Sequence, residues 1–226
     1  MTTLTPTRPD VQQDTADPWG GRLVAAALVA LPVVTTALVL MLPADALTRA
    51  VDKASATKAL DAAAAHRTGA WVGGLLIGVL YLLMLPALQA VLRGVPARGR
   101  ALVRVGYVLA SVGACALAVE DAVVGVSLRA ATASGLDKAQ SASYLIELQK
   151  EGGPLSPLLW GAGLFFVGVV VLAIGILRSG TLGWWHALVV VLACFGLVAT
   201  GPGVTGVIEV ALLVAMAVAF LRPTRE

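Results

Sequence analysis

The sequence predicts an all-α protein, a polytopic bundle of six transmembrane helices with both termini on the cytoplasmic side. Three observations carry this. Of 226 residues, 58% are hydrophobic and 13% charged, where soluble domains carry about 25% charged residues. Several apolar runs approach the roughly 20 residues that cross a bilayer as a helix. Arginine and lysine concentrate on alternate connections between those runs, as the positive-inside rule requires.

Residues 1–21 are polar, with Pro6, Pro9 and Pro18, and read as a disordered cytoplasmic tail. Asp10, Asp14 and Asp17 outnumber Arg8 there, unlike a signal-peptide start. Ala44-Asp45-Ala46 resembles a cleavage site, but the preceding apolar run is too long for a signal core. The membrane domain spans 22–222, and its first helix covers about 23–42. Pro32 is placed to kink it, and Thr35 and Thr36 to bond back to the helix or to a neighbour. The Ala-rich connection 43–69 reads as a surface helix.

Helix two covers about 70–92. Its Gly74-Leu-Leu-Ile-Gly78 is a G-x-x-x-G, which allows a second helix to approach closely. A purely basic connection follows, with Arg93, Arg98, Arg100 and Arg104. Helix three covers about 102–128. The next connection, 129–156, mixes charges. Asp137 and Gln140 have capping-box spacing, and Gly152-Gly153-Pro154 stops the short helix they start. Helices four, five and six cover about 155–177, 182–200 and 204–221, with Gly201-Pro202-Gly203 as the last turn.

Six helices put both termini on one side. That side collects nine Lys/Arg on segments with few acids beyond the tail. The other side has seven, spread over two connections that hold six acids. The first side is therefore cytoplasmic. Trp19, Trp71, Trp160, Trp184 and Trp185 fall at helix ends, as an aromatic belt does. The halves of the chain show no inverted repeat of the transporter kind.

The polar residues inside this frame are few. Glu120 and Asp121 sit in helix three, roughly 24 and 26 Å above Arg104 in a core of roughly 30 Å. Glu209 lies about two turns inside the outer end of helix six, and His66 and Arg67 stand at the same end of helix two. Glu120 follows Gly106, Ala110, Gly113 and Leu117 at helical spacing; Asp121 follows Ser111, Ala114 and Ala118, with Gly125 beyond. Both acids thus point toward protein, while Val105, Val112, Val119 and Val123 suit lipid. Intramembrane carboxylates are costly and mark functional sites by default.

Glu120, Asp121, Glu209, Arg67 and His66 are accordingly the candidate ligand-binding residues, lining an outward-facing pocket for a proton, a cation or a cationic small molecule. The bland reading pairs Arg67 or Arg129 with an acid and leaves the set to assemble the bundle, with a homo-oligomer or a partner membrane protein as its context. A third reading, an enzyme acting on a lipid-like substrate, lacks any nucleophile motif. Cys115 and Cys194 lie mid-helix and read as packing thiols. The sequence offers no catalytic set, metal cluster or cofactor motif, and no basic patch for nucleic acid. Low Lys and high Ala, Val, Gly and Arg suggest a bacterial plasma membrane as the location.

Three segments resemble a family of uncharacterised bacterial six-helix membrane proteins, a domain of unknown function. They are DKASATKALDAAAAHR (52–67), GAGLFFVGVVVLAIGILRSGTLGW (161–184) and PGVTGVIEVALL (202–213). On that likeness Arg67, Arg178, Gly180 and Glu209 stand at motif positions. Gly183 stands where the family has Pro, Val210 where it has Leu, His66 where it has an aromatic, and Glu120-Asp121 where it has amides. The resemblance implies architecture and membrane location, and no activity.

Overall fold

The computed structural model describes residues 26–27, 29–37, 50, 52–133, 135, 137–150, 152–180, 184–200, 211 and 214. Every element among them is a helix. In order these are α1 (Lys53–Ala65), α2 (Arg67–Gly94), α3 (Ala97–Ala133), α4 (Lys138–Gln149), α5 (Ser156–Ser179) and α6 (Trp184–Thr200), preceded by a helical stretch over 29–37. Three of them are long and apolar enough to cross a membrane, over Thr68–Gly94, Ala97–Ala133 and Ser156–Ser179.

In the 29–37 stretch the Thr35 hydroxyl donates to the Leu31 carbonyl at 2.9 Å and Thr36 to Pro32 at 2.7 Å. Both hydroxyls satisfy themselves within their own helix, the first of the two options left open by the sequence.

The chain is organised around α3. Its backbone is non-helical at Arg98 and at Gly99, whose φ of 105° only glycine adopts easily. The continuous helix from Arg100 to Ala133 is about 50 Å long, against a hydrocarbon core of about 30 Å. It is therefore longer than a span needs, and its buried residues fall into two groups. From Val103 to Ala118 its buried residues join a core with α2, α5 and α6; from Val124 to Ala131 they join a second core with α1 and α4.

Glycines set the contacts in the first core. Without a hydrophobic drive between helices in lipid, close backbone packing does the work. Gly106 and Gly113 of α3 face Gly168 and Gly161 of α5, seven residues apart on each helix, and Gly175 continues the row against Val103. A side chain at Gly106 would meet the Leu172 nitrogen at 2.5 Å and the Gly168 carbonyl at 2.6 Å. A seven-residue repeat is the period of a left-handed coil. On the other side of α3, Gly74 and Gly78 of α2 meet Asp121, Gly125 and Ala118, so the G-x-x-x-G is the α2–α3 contact. Phe166 and Phe195, with ring centroids 4.4 Å apart, join α5 to α6.

The second core is a small helical cap over the end of α3. Asp52 and Ser55 form a capping box on α1, and Asp137 and Gln140 form the expected one on α4. The Ser141 hydroxyl donates to the Ala131 carbonyl at 3.1 Å, tying α4 to α3. The Ala50 N–H donates to Gln149 Oε1 at 2.8 Å. Lys138 pairs with Asp61 of α1 at 2.6 Å, an exposed bridge that adds little. After α4 the chain turns at Gly152–Gly153, and Leu155, buried in this core, leads into α5.

Candidate functional site

Glu120 and Asp121 fall in the interval of α3 between Ala118, the last residue of the first core, and Val124, the first of the second, and both are half-buried. They diverge by about 100° around the helix. Asp121 stands on the α2 side, where its carbonyl oxygen would be 2.6 Å from a side chain at Gly74. Glu120 follows the Gly106–Gly113 face that packs on α5. Continuing that antiparallel register puts Glu120 level with the start of α5. The N-terminal end of a helix carries partial positive charge, which favours a nearby carboxylate. The N-cap, Leu155, supplies no capping side chain there.

The stripes read from the sequence meet different partners. Ala114, Ala118 and Gly125 are buried on the α2 side; Gly106, Ala110 and Gly113 are buried on the α5 side. Ser111 is half-buried, and its hydroxyl donates to the Tyr107 carbonyl at 2.7 Å. Val105, Val112 and Val119 are about half exposed, as lipid-facing residues are, whereas Val123 packs against the cap core.

Tyr81 was not among the candidates and belongs with them. It is buried in α2, and both carboxylates lie within electrostatic reach of its phenol. Two features bring them together. Tyr81 follows Gly74 and Gly78 at i+7 and i+3, on the face that meets α3. Side chains lean toward the N-terminus of their own helix, so the acids of α3 lean down toward the level of Tyr81. An aromatic hydroxyl on a G-x-x-x-G face is the signal that could have found it.

The other candidates are His66, Arg67 and Glu209. His66 is exposed in the α1–α2 junction, where its N–H donates to the Ala62 carbonyl at 3.0 Å and its carbonyl accepts from Ala70 at 2.9 Å. It is the C-cap of α1 and the N-cap of α2. Arg67 is the first residue of α2. Glu209 lies outside the described residues. Arg129, weighed as a partner for the acids, has its guanidinium carbon 4.8 Å from the centroid of the Trp71 ring. No three His, Cys, Asp or Glu side chains group at metal-binding distance among the described residues.

Compared with protein-family models, with curated proteins and with solved structures, the chain finds no match in any of the three.

Proposed function

We propose that this chain is a small integral membrane protein of the binding or transport type, whose acidic site at Glu120 and Asp121 takes a proton, a cation or a cationic small molecule. The observation that supports it best is the placement of two half-buried carboxyls between the membrane core and the cap, with a buried phenol in electrostatic reach of both. Carboxyls so placed exchange charge with the cap side and are shielded on the membrane side. Tyr81 supplies a hydroxyl that can donate to a carboxylate or accept from a bound cation. Six spans, cytoplasmic termini and a bacterial plasma membrane complete this reading, and they place the cap outside. Arg67 and Glu209 are the further residues to join the site from the same end.

Transport by proteoliposomes tests it. A cationic dye such as ethidium is followed across vesicles holding an imposed pH gradient. The proposal expects flux in the parent and loss of flux in Asp121→Asn with the protein still folded. Equal flux in parent, Asp121→Asn and Glu120→Gln would remove it.

A competing reading makes the acids structural, holding the cap to the bundle. The glycine-sealed contacts on both sides of α3 favour a rigid assembly of this kind. It expects the same variants to melt early while any ligand response survives.

A further inference from the structure

A groove of about 640 Å³ runs between α2 and α3 on the face of the pair away from α5. Leu75, Val79 and Leu82 form one wall and Val119 and Val126 the other, with Gly78 and Ala118 as a floor without bulk. Among the described residues nothing covers it: Leu82 is 46% exposed and Val126 52%. Cys115 lines its inner end and is exposed.

The groove has a length and a polarity. From Cys115 to Val126 it rises roughly 17 Å, about half of a 30 Å hydrocarbon core and therefore about one leaflet deep. Beyond Val126 the same helix faces carry Arg129 and Trp71. Trp71 precedes Leu75 by four residues on α2, and Arg129 follows Val126 by three on α3. The Arg129 guanidinium carbon stands 4.8 Å from the centroid of the Trp71 ring across the mouth. A cation held over an indole face keeps N–H donors for a phosphate, the anion whose geometry the guanidinium fork matches. An apolar trough one leaflet deep, ending in a cation held on an indole, has the form of a membrane lipid: chain below, phosphate above.

We propose that this groove is a binding site for a glycerophospholipid, with one acyl chain between α2 and α3 and its phosphate on Arg129. Neither Glu120 nor Asp121 lines the groove, and the proposal does not depend on the acidic site. An aromatic–cation pair at the headgroup level fixes the lipid in depth, and the bulk-free floor of Gly78 and Ala118 lets the chain lie against the backbone.

Cys115 reports on it, because Cys194 is fully buried and Cys115 is not. The full chain in detergent is alkylated with N-ethylmaleimide, and Cys115 modification is followed by mass spectrometry while phosphatidylglycerol is added. Protection should be saturable. Arg129→Gln should need about tenfold more lipid, the size of one charge-assisted contact, and diacylglycerol with the same chains should match that weaker protection. Arg104→Gln, at the far end of α3, should behave as the parent. Ala122 lines the groove between Val119 and Val126, and Ala122→Phe, which fills it, should remove the lipid dependence. Equal protection by diacylglycerol and phosphatidylglycerol, or an equal shift in Arg129→Gln and Arg104→Gln, would overturn the proposal. So would full lipid dependence in Ala122→Phe.

Discussion

The carbonyl oxygen of Asp121 occupies the space that a side chain at Gly74 would need, 2.6 Å from where its Cβ would stand. The close-packing motif of α2 and the acid of α3 are thus one feature. The glycine brings the two backbones together where the charge is, about one turn inside Trp71. Gly74→Ala should force α2 away and disturb the acid with it. Its detergent melting point should fall by the equivalent of about 1–3 kcal/mol, the usual cost of overpacking. An unchanged melting point would mean the two helices do not meet there.

The glycine row between α3 and α5 makes a paired prediction. Gly168→Ala places a methyl against the Ala110 backbone and should cost about 1–3 kcal/mol. Gly163, on the same helix, has open space where a side chain would go. Gly163→Ala should be neutral or stabilise by up to about 1 kcal/mol through helix propensity. Both are read by denaturation in detergent, and the difference between them isolates packing from propensity.

The cap should respond to acid through its first helix. Hydrogen bonds from the Ser55 backbone and side chain hold the Asp52 carboxyl below its ordinary 3.8. A carboxyl lowered on folding stabilises above its unfolded value and loses that contribution as pH falls through the folded one. Hydrogen-exchange protection of α1 should therefore be level above about pH 4 and fall below it. In Asp52→Asn that fall should be absent. On α4, Asp137→Ala should cost about 1 kcal/mol as a lost N-cap, visible as faster exchange confined to the cap.

Topology has its own test. With six spans, Ala97 in the basic connection and Ser143 in the cap lie on opposite sides. Ala97→Cys should react with an impermeant thiol reagent only from the cytoplasmic side, and Ser143→Cys only from outside. Reaction of both from one side would contradict the topology.

Much of this was legible before any coordinates. The long apolar runs gave α2, α3 and α5, because span length is set by bilayer thickness. Local chemistry gave the Asp137–Gln140 cap and the stop at Gly152–Gly153. Two things were not legible. The seven-residue glycine rows of α3 and α5 mean little until the helices are known to be neighbours, and these two are not consecutive in the chain. Helix three was expected to end near residue 128, yet it continues to Ala133 because α1 and α4 wrap its end. Its last turns carry Arg129 and Thr132, polar enough to read as connection. The acids, expected in the outer third of one span, stand where one core gives way to another, a boundary visible only once α1 and α4 are packed on α3. Tyr81 was missed because its partners lie on a different helix.

The most direct measurement is thermal stability of the purified protein in detergent across pH 5–8 with a panel of cations and cationic drugs. Glu120→Gln, Asp121→Asn and Tyr81→Phe run beside the parent. A ligand bound only by the folded state raises the melting point by mass action, about 2.7 kcal/mol of stabilisation at a hundredfold excess over Kd. The proposed site predicts at least one cation, or protonation itself, that raises the parent's melting point and loses its effect in Asp121→Asn. A parent that no ligand or pH shifts, with variants that simply melt earlier, would contradict it and leave the acids as the join between bundle and cap.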